Sequence, residues 1–357
     1  MTETDTIKQY YEYDVAGCAT DKAPVLVHIA MLSCPNGETI VLPERLPFKG
    51  EWGENETVSL MDNPRHLLPT GLHIIYLSLI ERKFYIINDE LPKEEIEKQW
   101  NRSIPSSGES LFEKIIVGMS PYGGVGVWLS GSEKEVLIYW SHGSEISIGM
   151  EQFLPQNPSA TLKGICDFYV TSNTAVKENL RKNGLPSRDL FDNYMKQFTY
   201  RYVVLFGFWD EVWRKYDEEE KKKGVAEFEF IEEALFDGTY DKLHDGELMN
   251  YHQAGKPKKL AVKWHIKKSE YTAYFWFEDE EIRAVFDRFY GAHPETKTDF
   301  MIRIDSEKKK FELALYRYGL NKPQVISESA YQLIVFKNKF EYIRSENYNQ
   351  PPGAWIW

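Results

Sequence analysis

A chain of 357 residues with 42% apolar and 15% aromatic side chains can bury a sizeable core, and its length suits two domains. A net charge of −12 excludes a surface built to grip nucleic-acid phosphates and suits a basic protein partner instead. Cys18, Cys34 and Cys166 are too few and scattered for a disulfide framework or a zinc knuckle, and no apolar run is long enough to cross a membrane.

The chain opens with a polar lead-in to about Lys22. Val15-Ala16-Gly17-Cys18 matches the small-residue box before a lipidated cysteine, but polar IKQYYEYD stands where an apolar stretch is required. The expectation is a cytoplasmic chain, or a periplasmic one were a signal to precede it. Ala23 to Met31 and Glu38 to Leu42 read as strands joined by a Pro-Asn-Gly turn. Pro43 to Pro69 reads as a long loop. His73 to Ile80 is apolar on both faces, which places it centrally in a sheet. Phe84 to Ile87 follows it. Pro92, Glu94 and Glu95 start a helix whose Ile96 and Trp100 share a face. After a polar break at Ser103 to Gly108, Ile115-Ile116-Val117 and Val125 to Leu129 form a hairpin around Pro121-Tyr122-Gly123-Gly124.

Several of these features together resemble a known family. Leu68-Pro69-Thr70-Gly71-Leu72, Tyr76-Leu77-Ser78-Leu79, Glu81 and Lys83-Phe84-Tyr85 are similar to the bacterial domain of unknown function 2931 family. So are Leu91-Pro92, Ile116-Val117-Gly118, Pro121, Gly123-Gly124-Val125 and Val127-Trp128-Leu129, with Glu51-Trp52-Gly53 upstream. Asn183-Gly184-Leu185-Pro186 and Tyr200-Arg201-Tyr202 extend the likeness to roughly residues 20 to 215. The resemblance implies no reaction. It implies an association with secretion, including type VI secretion, and with interbacterial-toxin gene clusters, hence an immunity role. Many members resemble secreted or lipid-anchored proteins; this chain lacks that signal and carries an extra C-terminal third.

Thr174 to Lys182 and Ser187 to Phe198 read as helices, the first closed by Gly184 and the second capped by Ser187. Tyr202 to Trp213 is apolar, and Glu218 to Lys223 is a solvated charged helix. Val225 to Gly255 sets eight carboxylates against the single base Lys242, a net charge of −7, and Gly255 to Lys259 reads as a linker. Leu260 to Ile266 and Tyr271 to Phe277 are strands, and Ile282, Val285, Phe286 and Phe289 mark a helix. Phe300-Ile302-Ile304 and Phe311-Leu313-Leu315 mark a hairpin about Ser306-Glu307-Lys308, while Ser327 to Phe336 fits helix or strand. Strand, strand, helix, strand, strand thus occurs twice, through divergent duplication or through recurrence of a common plan.

The fold class expected is α+β and strand-rich, with antiparallel sheets, short helices and this ββαββ plan. The expected domains are 1–224, an acidic connecting segment 225–259, and 260–357. Chemical motifs are weak. Gly123-Gly124-Val125-Gly126 lacks the third glycine and the helix of a phosphate loop, and Gly118 to Tyr122 is not a nucleophile elbow. His244 and His252 with Asp241 or Asp245 make a poor metal set, and the acidic segment does not fit a calcium loop. No catalytic residue, cofactor or metal is therefore expected. The expected function is a non-enzymatic protein binder, an immunity protein holding a basic toxin. The alternatives are a small-molecule or glycan binder, with Trp264, Tyr274, Trp276, Trp355 and Trp357 as stacking aromatics, and a hydrolase with an unrecognised site. The expected contacts are the carboxylates Glu229, Glu232, Glu233 and Asp237, with Phe230 and Phe236 as anchors beside Phe228 and Leu235.

Overall fold

The computed structural model describes residues 9–20, 22–42, 47–48, 52, 57–58, 65–102, 110–206, 226–304, 310–320, 322–339 and 341–346. The charged run 218–223, the break 103–108, the turn 306–308, most of the loop 43–64, and Trp355 and Trp357 lie outside the described residues. Contacts divide the chain into two units, residues 1–195 with 237–239, and residues 196–236 with 240–357.

The first unit holds strands β1 (Tyr11–Glu12), β2 (Asp14–Ala19), β3 (Val25–Ser33), β4 (Thr39–Val41), β5 (Pro47–Phe48), β6 (Thr57–Val58), β7 (Arg65–His66), β8 (Gly71–Ser78) and β9 (Lys83–Glu90). Helix α1 (Lys93–Trp100) follows, then β10 (Lys114–Met119), β11 (Gly124–Ser130), β12 (Lys134–His142) and β13 (Ser144–Ile146). Helices α2 (Met150–Phe153), α3 (Leu162–Ser172), α4 (Thr174–Asn183) and α5 (Asp189–Tyr194) complete it. One sheet runs β13-β9-β8-β3-β4, and the other runs β12-β11-β10-β2-β6. β8 is central because it is apolar on both faces. Leu72, Ile74 and Tyr76 join the core between the sheets, while Leu77 packs under Phe153, Leu154 and Cys166 of the helices. Helix α1 buries Ile96 and Trp100 against that core, with the Trp100 ring 5.3 Å from Tyr13. Helix α5 is shorter than its apolar stripe predicts. Its N-cap is Arg188 rather than Ser187, and Phe198 already opens the next strand.

The second unit holds β14 (Phe198–Phe206), β15 (Ala226–Leu235), β16 (Tyr240–His244), α6 (Asp245–Leu248), β17 (His252–Ala254), β18 (Pro257–Ile266) and β19 (Ser269–Phe277). Helix α7 (Asp279–Tyr290), β20 (Thr298–Ile304), β21 (Phe311–Tyr316), β22 (Gln324–Val325), β23 (Tyr331–Lys337) and β24 (Glu341–Glu346) follow. Its strands order as β24-β23-β19-β18-β15-β16 and as β22-β21-β20-β14-β17. The ambiguous stretch Ser327 to Phe336 is a short 3-10 turn leading into β23.

These facts correct the expected domain limits. The segment 225–259 is no connector: β15 lies between β16 and β18, paired antiparallel to both. The expected linker at Gly255 to Lys259 is the start of β18, with Lys256 fully buried. The boundary near 224 moves upstream to 195/196, because β14 pairs in parallel with β20 of the second unit.

Taken in chain order, the two units repeat one topology: β2, β3, β4, β6, β8, β9, α1, β10, β11, β12 and β13 correspond to β14, β15, β16, β17, β18, β19, α7, β20, β21, β22 and β23. Within each unit every pairing among them recurs with the same sense, including the parallel pairs β2–β10 and β14–β20 among otherwise antiparallel ones. The first irregularity also agrees. Each first long strand carries one extra residue, His28 between Val27 and Ile29, and Glu229 between Phe228 and Phe230. Behind each bulge sits a buried aromatic pair with ring centroids 5.6 Å apart, Tyr76 with Tyr85 and Trp264 with Tyr271. Core-facing Ile115, Val117 and Met119 match Phe300, Ile302 and Ile304. Bulges and parallel pairs are specific features, so their recurrence at equal positions marks a repeated fold within the chain. The twofold ββαββ plan is its most regular part.

Candidate functional site

The acidic strand β15 does not form a solvated face. A strand alternates its side chains, so its acids divide between two environments. Ile231, Glu233 and Leu235 point into the core of the second unit; Phe230 and Glu232 point away from it, and the bulge at Glu229 brings that residue beside Lys263 and His265. Glu233 is only 1% exposed. The Tyr202 hydroxyl donates to its Oε2 at 2.6 Å, and His252 Nε2 lies 3.7 Å from its Oε1. Burial and the nearby carboxylate hold the Tyr202 phenol well above its ordinary value. Burial alone would lower the His252 pKa, but Glu233 outweighs it and raises it.

On the outward face the charges are compensated locally. Lys263 Nζ lies 3.3 Å from Glu229 and 3.0 Å from Glu270, and His265 hydrogen-bonds Glu229. Burial would raise the Glu229 carboxyl; His265 and Lys263 overcome this and lower it. Glu232 is raised by burial, against the pull of Lys242 at 3.7 Å. The Phe230 ring carries Lys242 Nζ at 4.3 Å and Lys263 Nζ at 5.2 Å. Asp237 is buried in a turn, where its carboxylate accepts from Thr239 N and its carbonyl from Trp128 Nε1, each at 2.9 Å. Phe236 packs against the core. Of the six expected contact residues, the structure therefore brings Glu229, Phe230 and Glu232 to one half-exposed face. Glu233 and Asp237 are buried, which removes them as contacts. Trp264 is buried as well, against Tyr271, so it stacks on no ligand; Tyr274 and Trp276 stack on each other at 6.0 Å. His244 caps α6 with Glu247, while His252 Nε2 faces Glu233.

A second constellation lies in the first unit, at the β10–β11 turn. Tyr122 has φ +61° and Gly123 has φ +84°. A bulky residue in the left-handed region costs about 1–3 kcal/mol and persists only where neighbours enforce it. Here Glu81 accepts from Tyr122 N at 2.8 Å and from the Tyr85 hydroxyl at 2.9 Å, while the Tyr122 hydroxyl donates to Pro186 O at 2.8 Å. The His142 ring lies 3.2 Å from Tyr122 O and 2.8 Å from Asp192, which also accepts from Trp140 Nε1 at 3.0 Å. Burial works against the Asp192 carboxylate, but His142 and Trp140 lower its pKa. Gly124 itself is extended, with φ −64°. Its need for glycine is steric, since a Cβ would meet Ser120 Oγ at 2.3 Å.

A family model described as "Protein of unknown function (DUF2931)" matches residues 1–187. The chain belongs to that family. No curated protein and no solved structure matches it. The DUF2931 match covers nearly all of the first unit and stops short of Tyr200-Arg201-Tyr202, which belongs to β14 of the second. The match does not extend into the second unit, whose strands repeat the pairing order of the first. The clamped Tyr122 turn lies within the DUF2931 domain, and sequence reasoning missed it. Glu81, Tyr122, His142 and Asp192 are far apart in the chain, and nothing in a Pro-Tyr-Gly-Gly run says which residue takes positive φ. Lys263, His265 and Glu270 were missed as partners of Glu229 for the same reason. Among the described residues, no helix is long and apolar enough to cross a membrane.

Proposed function

We propose that this protein works by binding another protein, as an immunity protein that occupies and neutralises a bacterial toxin linked to a secretion system. The outward face of β15 would be a main contact. The observation that carries this reading is Phe230, an aromatic ring held between two lysines and flanked by Glu229 and Glu232 on a half-exposed sheet face. Ordered aromatic rings among paired charges supply anchor and register together at protein interfaces. The overall charge of −12 adds attraction toward a basic partner, even though the acids of β15 are themselves paired. The gene setting implied by the resemblance points to the same class of partner.

The test is binding to, and protection of cells from, the toxin encoded beside this gene. Phe230→Ala with Glu232→Gln leaves the buried Glu233 and Asp237 intact. We expect the affinity to fall at least about tenfold, with slower association and an unchanged fold. A double variant that binds and protects like wild type would place the contact elsewhere, on the DUF2931 domain.

A further inference from the structure

Three side chains with metal-binding atoms converge on the outward face of the second unit. Glu229, His265 and Glu270 are each half-buried, and their ligand atoms all lie within 4.8 Å of one another. They come from three adjacent strands. His265 stands opposite Glu270 in the β18–β19 register, and Glu229 is the extra residue of the β15 bulge. Bulges re-aim a side chain out of strict alternation and concentrate near functional sites.

The duplicated topology supplies an independent comparison. In the first unit the equivalents are His28, Leu77 and Phe84. There only His28 could ligate a metal: the Phe153 ring lies 5.2 Å from His28 and 4.9 Å from Phe84, and Leu77 joins the same apolar cluster as Phe84. Lys263 likewise stands where the first unit has Ile75. The strands and the bulge are kept while one histidine with two apolar side chains is replaced by one imidazole and two carboxylates.

We propose that Glu229, His265 and Glu270 form a divalent-metal site suited to Zn2+. One imidazole and two carboxylates suit Zn2+ and leave a fourth position for water or a partner's ligand, as in open rather than closed zinc sites. Lys263, bound to both carboxylates, occupies the place of the cation. Metal and ammonium compete for the same charge, so loading moves the lysine out. The site stands independently of the toxin-binding reading, because its test needs the metal alone.

The experiment is Zn2+ titration of the full-length chain after chelator treatment, by calorimetry, with Co2+ absorption as a spectroscopic readout. Wild type should bind one equivalent with a Kd on the order of micromolar. Glu270→Gln, which preserves shape, and His265→Ala should each weaken binding at least about tenfold and remove the visible Co2+ bands. Lys263→Met should tighten binding about tenfold, since it removes the competing charge. Melting curves without metal verify that each variant is folded. Absence of Zn2+ binding to wild type, wild-type affinity in both ligand variants, or a Lys263→Met protein that binds no tighter would each overturn the site.

Discussion

Glu233→Ala lowers the stability of the second unit by about 3 kcal/mol or more, while the same substitution at Glu232 costs about 1 kcal/mol or less. The two carboxylates are neighbours in sequence and opposite in environment. Removing Glu233 leaves the buried Tyr202 hydroxyl without its acceptor inside the core and takes away the carboxylate 3.7 Å from His252 Nε2. Removing Glu232 leaves Lys242, whose side chain is 24% exposed and reaches water. Urea denaturation followed by circular dichroism measures both. The Glu233 pair also carries a pH signature. Because the folded His252 pKa lies above the ordinary 6.5, its contribution is fully present below that value and is lost as pH rises through the raised one. Wild type should therefore lose stability over that rise, and His252→Phe should lose less. Equal costs at positions 232 and 233 would mean that β15 is out of register by one residue.

Gly123→Ala is the second large effect expected, about 3 kcal/mol or more, against about 1 kcal/mol for Gly184→Ala. Both glycines have positive φ, +84° and +71°. At Gly184 a Cβ meets nothing within 4 Å, so only the backbone penalty applies. At Gly123 the Cβ would also stand 2.6 Å from Gly143 O, and Gly143 is held in place by its own N–H, which donates to Gly123 O at 2.9 Å. Relief would have to move β12 or the clamped Tyr122. Thermal melts should separate the two by several degrees, at about 2–4 °C per kcal/mol for a unit of this size.

Periodicity made much of this fold legible. The two-faced apolar pattern of His73 to Ile80 predicts a central strand, and β8 is central. Alternation at Phe300 to Ile304 and Phe311 to Leu315 predicts a hairpin with one buried face, as observed. What periodicity cannot read is register against distant strands. In Glu232-Glu233 it sees two acids, whereas pairing with β16 and β18 makes one half-exposed and the other core. Local composition misled at Gly255 to Lys259, where lysines and a proline suggest a linker although Pro257 starts a strand, the position a proline tolerates. The repeated fold was legible only as a ββαββ plan, because its firmest marks, the His28 and Glu229 bulges and the two parallel pairs, are relations between strands.

On the binding proposal, the second unit carries the partner-binding face on β15. Hydrogen–deuterium exchange of the full-length protein, with and without the toxin encoded beside its gene, tests it most directly. Amides of β15, β16 and β18 should become protected on binding, while those of β8 to β11 stay unchanged. Protection confined to the DUF2931 domain, with β15 exchanging as in the free protein, would contradict it.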